Sequence, residues 1–363
     1  MRDLQFDIGW PRLTTRSGVA LLILVAVPFL SRAASVYSVQ SLGPLGSGVA
    51  QPSAINDSGL AVGYITNSQG NQAAISFANG QSTTLGVNAL AQGVNNSGIV
   101  VGVTYKGLDP SVAEWSHGQL TTLPISGYAT SINNLGQVAG GYITSNNELH
   151  AYVSTGGTLT DLGTLGGTWS SAYGINSIGQ VTGTSLTSSS VFRAFFTNSS
   201  GMNDIGTLGG SNSYGMAIND SGHIVGNSQT LTGFSHAFVW TGQRMIDLGT
   251  LGGSQSYAYG INNSDLVVGA SFVTGNEEEH GFVYSNGVLA DLNDLLPLGS
   301  GWTIDNAYAV NNTGDILATG TLNGQSFAVE LTPSTVTPEP SGFLFAAAGL
   351  IGIGIARSRR LHR

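Results

Sequence analysis

Apolar and polar residues alternate over short stretches along most of the chain, and turns rich in glycine and asparagine separate the stretches. One such unit, SAINDSGLAVG from Ser53 to Gly63, recurs with small changes. Its two apolar halves flank the pattern Asn-x-x-Gly, which favours a tight turn with the glycine in the left-handed conformation. Asp265 replaces the glycine once, and Asp tolerates that conformation. The unit therefore predicts two strands joined by a hairpin turn.

The asparagine of this turn marks seven repeat units. Successive asparagines are 39, 38, 43, 43, 43 and 49 residues apart, which is the length typical of a four-stranded propeller blade. Two further strands are predicted in each unit, as in the phrases HAFVW at His236 and MIDLGTLGG at Met245. The repeated asparagines are Asn56, Asn95, Asn133, Asn176, Asn219, Asn262 and Asn311.

The two ends of the repeat region complement each other. The last unit ends at FAVEL (327–331) without a fourth strand, whereas VQSLGPLG (39–46) precedes the first unit and matches the fourth-strand phrase. An N-terminal strand that completes the last unit would leave no free sheet edge, whereas a linear solenoid has no need of a divided unit. The sequence therefore predicts an all-β fold, a seven-bladed β-propeller of residues 36–331 closed by an N-terminal strand.

The charge distribution excludes one class of partner. Between residues 36 and 337 only Lys106, Arg193 and Arg244 are basic, against seventeen acidic residues. Nucleic acid is therefore not an expected partner, because its binding depends on basic side chains. The chain has no cysteine, so its stability must come from burial and hydrogen bonds.

The first 34 residues have the pattern of a signal peptide. Basic residues precede the apolar run from Gly18 to Leu30, and small residues follow it at Ala33 and Ala34. Thirteen residues are too few to span a bilayer comfortably, since about 20 are needed. We expect residues 1–34 to be removed on export, with an uncleaved anchor as the alternative.

The C-terminal tail has three parts. A linker at 332–337 precedes the motif Pro338, Glu339 and Pro340, then an apolar run at 343–356, then basic residues. Fourteen helical residues are about 21 Å long against a hydrocarbon core of about 30 Å, which predicts a short, transient transmembrane helix. The basic residues that would stop it on the cytoplasmic side are Arg357, Arg359 and Arg360.

Two of these patterns resemble known families. HAFVW with MIDLGTLGG and SYAYGINNSDLVVG resembles the HAF-repeat family of bacterial extracellular proteins over residues 36–331. Residues 338–363 resemble the PEP-CTERM sorting signal, although Gly342 departs from its common opening. The resemblance implies a Gram-negative bacterium that makes exopolysaccharide, and an exosortase-type enzyme that processes the tail. It implies an exported chain with a transient single-pass anchor, then a place at the cell surface or outside the cell.

Several polar residues recur at equivalent positions and are candidate sites. His150, His236 and His280 would lie on different blades, too far apart to share a metal ion. The run of glutamates at 277–279 lacks the ligand set of a calcium loop. The repeated aspartates are expected to bond turn amides between blades, and no nucleophile motif is present. The sequence therefore predicts no catalytic, cofactor or metal residue.

A ligand face is expected where the loops between units meet the channel. The residue three before each repeated asparagine varies: Ser53, Gln92, Thr130, Tyr173, Met216, Tyr259 and Tyr308. Aromatic platforms beside polar groups suit sugars, and core packing is the alternative explanation. The candidate ligand residues are Trp169, Tyr173, Tyr214, Tyr257, Tyr259, Trp302 and Tyr308.

Three functions remain open from the sequence. The preferred one is an exported non-enzymatic protein of the cell surface or exopolysaccharide matrix that binds glycan. The alternatives are a secreted carbohydrate-active hydrolase or lyase and a purely structural matrix protein.

Overall fold

A computed structural model describes residues 36–44, 49–78 and 80–334. Within this range the one helix is a single 3-10 turn, Leu292–Leu295. The strands are β1 (Val36–Pro44), β2 (Val49–Ile55), β3 (Ala61–Thr66), β4 (Gln72–Ala78), β5 (Gln81–Val87), β6 (Ala89–Val94), β7 (Val100–Lys106), β8 (Asp109–Ser116), β9 (Gln119–Ile132), β10 (Val138–Ile143), β11 (Leu149–Thr155), β12 (Thr158–Gly163), β13 (Gly166–Ile175), β14 (Val181–Thr187), β15 (Phe192–Asn198), β16 (Gly201–Asp204), β17 (Gly209–Ile218), β18 (Ile224–Thr230), β19 (Ser235–Trp240), β20 (Met245–Gly249), β21 (Gly252–Ile261), β22 (Val267–Val273), β23 (Glu279–Ser285), β24 (Val288–Asp291), β25 (Trp302–Val310), β26 (Ile316–Leu322) and β27 (Gln325–Ser334).

The predicted count of seven separate blades is wrong. Four separate four-stranded sheets are present: β2 to β5, β17 to β20, β21 to β24, and β25 to β27 with β1. The other eleven strands, β6 to β16, form one continuous sheet. The all-β propeller class stands, but the chain has four separate blades and one large sheet.

Two local features join the strands of the large sheet. β9 is fourteen residues long because no Leu-Gly-Thr-Leu-Gly-Gly turn interrupts it, so it pairs with β8 through its first half and with β10 through its second. Leu149 of β11 forms a parallel bridge with Trp169 of β13. The sequence repeat did not reveal these links, because both depend on pairing between neighbouring units.

The two chain ends of the described region pair as the sequence predicted. β1 is antiparallel to β27, with Val36 opposite Ser334 and Pro44 opposite Phe327. β27 continues to Ser334, so the first three residues of the predicted linker at 332–337 belong to a strand. The ladder therefore extends further than the sequence pattern indicated.

The predicted signal peptide, sorting motif and apolar tail lie outside the described residues. Across the part of the chain that is described, no helix is long and apolar enough to cross a membrane. The predicted transmembrane helix at 343–356 is among the residues outside the described part, so it stays a prediction.

Hydrophobic cores lie between neighbouring repeat units. In four repeat units the aromatic residue at the third position of the His-Ala-Phe phrase is fully buried. These residues are Tyr152, Phe195, Phe238 and Phe282. Phe195, for example, packs with Ala151 and Ala172 of the preceding sheet segments. Tyr152 differs from the three phenylalanines by its hydroxyl. This hydroxyl is buried and neither donates nor accepts a hydrogen bond among the described residues.

We expect Tyr152→Phe to stabilise the protein by about 1 kcal/mol, because it removes a buried, unpaired hydroxyl and keeps the ring. The reverse change at an equivalent position, Phe238→Tyr, should destabilise the protein by about 1–3 kcal/mol. Denaturant midpoints of the two variants check this pair of expectations. A lower midpoint for Tyr152→Phe would show that the hydroxyl has a partner.

Candidate functional site

A closed ring of asparagines surrounds one end of the central channel. The side-chain amide of each repeated asparagine donates to the backbone carbonyl of the next, at 2.9–3.3 Å. The last bond, from Asn311 to the carbonyl of Asn56, joins the two ends of the repeat region. All seven side chains are buried. We call this set the asparagine ring.

Each of these asparagines also shapes its own turn. The side-chain oxygen of Asn262, for example, accepts from the backbone amides of Ser264 and Leu266, both at 3.0 Å. The predicted left-handed turn residues are confirmed, with a φ of 78° at Gly59 and 59° at Asp265. The predicted turn chemistry is therefore present, and the bonds between units come in addition to it.

A second polar ring lies just outside, one residue later in each unit. The backbone amide of Asn312 donates to Asp57, and that of Ser177 donates to Asp220, both at 2.9 Å. Burial raises the pKa of the Asp57 carboxyl, but hydrogen bonds from Asn312 and Asn96 outweigh it and bring the pKa below its usual value. These carboxylates are therefore structural acceptors that bind neighbouring turns together.

A cavity of about 420 Å³ lies further along the channel, and we call it the lumen cavity. It is lined by the seven variable residues three before each asparagine, as the sequence indicated. The residue at this position is skipped by the strand pairing in every unit, for example Tyr173 between Ala172 and Gly174. The other skips leave out Ser53, Gln92, Thr130, Met216, Tyr259 and Tyr308. Such β-bulges redirect a side chain, and here they direct seven of them to one cavity.

The wall of the lumen cavity has two different halves. Consecutive units contribute the polar residues Ser53, Gln92 and Thr130 on one side, and Tyr173, Met216, Tyr259 and Tyr308 on the other. The rings of Tyr259 and Tyr308 stack with centroids 5.8 Å apart and 21° between their planes. Burial raises the pKa of both phenols, so they remain neutral hydrogen-bond donors. One side of the cavity thus offers hydrogen bonds and the other offers flat rings.

The side-chain oxygen of Gln92 is buried and has no hydrogen-bond partner among the described residues. Thr130, on the same side, is already engaged, since its hydroxyl lies 3.1 Å from the carbonyl of Ala139 and 2.9 Å from that of Ala172. A buried acceptor without a donor is unfavourable, so this oxygen lowers the stability of the fold in the conformation described. The sequence placed Gln92 in the variable position three residues before a repeated asparagine, but it could not show that the side-chain oxygen is unpaired.

The other predicted ligand residues lie outside the lumen cavity. Tyr257 stacks on Tyr259, with centroids 6.5 Å apart and planes 8° apart, so it extends the platform outward. Trp169 and Tyr214 both contact Phe192, at centroid distances of 5.6 and 5.9 Å. Trp302 packs edge-on against Phe327, and both partly buried rings pack against the core of the last sheet. Core packing, the alternative considered from the sequence, therefore describes Trp302.

The recurrent histidines and aspartates pair within a unit. His236 Nδ1 lies 2.9 Å from the carboxylate of Asp247, whose other oxygen accepts from the amide of Gly249. The predicted aspartate bonds between blades are therefore wrong, because the aspartates bond the turn and the histidine of their own unit. The same pairs recur at His150 with Asp161, His280 with Asp291, and Arg193 with Asp204.

An acidic cavity opens beside the tyrosine platform. It is lined by the glutamates at 277–279 together with His280 and Asp305. Burial raises the pKa of Asp305 and of Glu279. Within the described ranges no three His, Cys, Asp or Glu side chains are arranged to hold a metal ion.

The fold is shared with solved structures of very different sequence. The β-propeller domain of the Trilobed protease from Pyrococcus furiosus is 7% identical, with a TM-score of 0.54 over 85% of this chain and 99% of that one. A puromycin-hydrolyzing peptidase from Mycobacterium tuberculosis is 12% identical, with a TM-score of 0.55 over 85% of this chain and 54% of that one. TolB from Acinetobacter baumannii is 11% identical, with a TM-score of 0.46 over 75% of this chain.

The first two of these comparisons show the fold class. At such identities the likeness shows the fold alone, so the chain is an all-β propeller protein. It spans 63% of the length of the TolB chain and 54% of that of the peptidase. No protein-family model and no curated protein matches the chain.

Proposed function

We propose that this chain is an exported, non-enzymatic propeller protein of the cell surface or exopolysaccharide matrix, and that it binds glycan at the lumen cavity. The observation that carries the proposal is the half-ring of three tyrosines and Met216 that faces amide and hydroxyl groups across one cavity. Sugar rings present apolar faces and hydroxyl edges, and they are bound by flat aromatic rings beside hydrogen-bonding groups.

The same cavity supports binding over catalysis. Among the described residues that line it there is no carboxylate, imidazole or amine. Most glycoside hydrolases need two carboxyl groups about 5 to 10 Å apart across the bond that breaks. A lining of tyrosines, amides and hydroxyls can hold a sugar but cannot supply that pair.

The tail supports the proposed destination. The order of the Pro-Glu-Pro motif at 338–340, the apolar run at 343–356 and the arginines at 357, 359 and 360 resembles the PEP-CTERM sorting signal. In this proposal an exosortase-type enzyme processes the tail after export, and the short helix holds the chain in the membrane until then. Following the chain from membrane fraction to medium in the parent and in Glu339→Ala tests it, and equal release would contradict it.

We expect Tyr259→Ala with Tyr308→Ala to weaken glycan binding at least tenfold, about 1.4 kcal/mol, because the stacked platform is lost. A glycan array on the parent, followed by titration of its hits, provides the measurement. Tyr105→Ala, which removes a partly exposed tyrosine outside the cavity lining, is the matched control. Release of reducing sugar from extracellular polysaccharide would contradict the non-enzymatic proposal, and an array without any hit would contradict glycan binding.

A further inference from the structure

A buried serine bridges three successive interfaces between repeat units. It lies six residues before the repeated asparagine of its own unit. Its oxygen accepts from a backbone amide of the preceding unit at 2.8–3.0 Å, and its hydroxyl donates to a glycine carbonyl of that unit at 2.5–2.6 Å. The three side chains are 0% exposed, so each fills its interface. They are Ser170, Ser213 and Ser256.

Asp305 holds this position in the last unit, where the interface contains a cavity. It lies six residues before Asn311, and the pairing of β25 with β26 skips it between Ile304 and Asn306. Its carboxylate accepts from the hydroxyl of Thr321, in its own unit, at 3.0 Å. It also lines the acidic cavity, whose volume is about 660 Å³. A cavity therefore lies between units six and seven at the position where a serine bridges the three preceding interfaces.

The two walls of the acidic cavity offer different groups. Unit six contributes the ring of Phe272, the glutamates at 277–279 and His280, whose Nδ1 is already paired with Asp291 at 2.6 Å. Unit seven contributes hydroxyl, amide and carboxylate groups from Thr303, Thr321, Asn306 and Asp305. An ionised carboxylate can accept up to about four hydrogen bonds, so the Asp305 carboxylate has capacity for hydroxyl donors besides Thr321.

The tyrosine stack joins the acidic cavity to the lumen cavity. Tyr259 lines the lumen cavity, and Tyr257 stacks on it with centroids 6.5 Å apart. Tyr257 lies opposite Ala270, and two residues further along β22 Phe272 lies opposite Glu279. Alternate residues of a strand share a face, so Tyr257 is on the same face as two residues that line the acidic cavity. In agreement, burial and then the charge of Glu279 raise the pKa of both tyrosines.

We infer that the acidic cavity is a second sugar subsite, and that it binds one oligosaccharide of neutral sugars together with the lumen cavity. Asp305 accepts hydrogen bonds from hydroxyls of the sugar in the acidic cavity, and such charge-assisted bonds are stronger than neutral ones. Tyr257 lies between the two subsites, and the carboxylates repel an acidic sugar. This inference rests on the proposed glycan binding and adds that the protein recognises a chain of several sugars.

The first test measures how affinity depends on the length of the glycan. The full chain is titrated with cello-, manno-, xylo- and N-acetylchito-oligosaccharides of one to six sugars. We expect the affinity for the recognised series to rise at least tenfold from the single sugar to the longest member, because the longer chain occupies both cavities. A single sugar that binds as tightly as the longest member would overturn the second subsite and leave glycan binding intact.

The second test replaces Asp305 by the residue that three other units have. Asp305→Ser should lower the affinity for the longest bound oligosaccharide at least tenfold, while the affinity for the single sugar and the denaturant midpoint stay unchanged. Asp109→Ala, which removes an exposed carboxylate on β8, should change none of these quantities. An Asp305→Ser chain that binds like the parent, or that loses affinity equally for short and long sugars, would overturn the contact with Asp305.

Tyr257→Ala tests the connection between the two cavities independently of Asp305. It should reduce the gain in affinity with length at least tenfold, because the ring between the two subsites is lost. Tyr105→Ala, outside both cavity linings, is the control. A Tyr257→Ala chain that keeps the full gain would overturn the connection.

Two further measurements address the carboxylates of the acidic cavity. Oligogalacturonate of the same lengths should bind more weakly than the recognised neutral series, and tighter binding of the acid would overturn the neutral class. The oligosaccharide recovered after titration should keep its length, because the subsite binds and does not cleave. A shortened product would overturn a binding subsite.

Failure of this inference is distinguishable from failure of the proposed function. If the glycan array gives hits but no neutral series gains affinity with length, only the second subsite is wrong. If neither the array nor these oligosaccharides bind, the proposed glycan binding is wrong as well.

Discussion

Replacing one asparagine of the ring, Asn262→Ala, is expected to lower the free energy of unfolding by about 3 kcal/mol. The change removes the 2.9 Å bond to the Asn311 carbonyl and the two bonds from the amides of Ser264 and Leu266. Each contributes about 1 kcal/mol, and the buried groups left behind lose their partners. Chemical denaturation of the full chain measures the effect.

The control is an asparagine that lies outside the asparagine ring. Asn146 is exposed in the turn before β11, so Asn146→Ala should change stability by less than about 0.5 kcal/mol. Asn262→Asp keeps the acceptor for the turn but loses the amide donor, so it should remain destabilised. If Asn262→Ala unfolds at the same midpoint as Asn146→Ala, the ring does not hold the units together.

Deleting residues 36–44 should be still more destabilising. This removes β1 from the edge of β27, together with the buried side chains of Tyr37 and Leu42. Burial of two such side chains contributes roughly 3–6 kcal/mol, and the exposed edge of β27 is left without partners. We expect a loss of several kcal/mol and a lower unfolding midpoint.

A synthetic peptide of residues 36–44 provides the matched restoration experiment. Because an extended peptide can add to an exposed sheet edge, it should raise the midpoint of the deleted chain in a concentration-dependent way. A peptide with Leu42→Asp should not, because that side chain is only 2% exposed in the fold. A deletion variant that unfolds like the parent would show that β1 does not close the ring.

The asparagine turn shows what a repeated pattern can predict. Its left-handed residue, including the exception at Asp265, followed from local backbone energetics alone. The hydrogen bond from each asparagine to the next unit could not be predicted in this way. It joins residues 38 to 49 positions apart in the sequence, and Asn311 bonds to Asn56 at the other end of the repeat region.

The lining of the lumen cavity was predicted in part. The variable column was visible in the sequence, and it lines one cavity in the structure. Trp302 was grouped with it, but this partly buried residue packs against a core. Spacing alone could not separate these two environments, since both lie on inner strands. The unpaired oxygen of Gln92 also required the full set of its neighbours to be known.

The sequence by itself determined the β-strand composition, the hairpin turns and the seven repeat units, because these depend on local periodicity. It also determined that the N-terminal strand pairs with the last strand, because the first segment matches the strand that the last unit lacks. Only the tertiary structure decided how the sheets divide and that β9 serves two units. It also decided that a bulge in the inner strand of every unit directs one residue to a single shared cavity. These features arise from pairing and closure between units, and a repeat in the sequence carries no direct record of contacts across a ring.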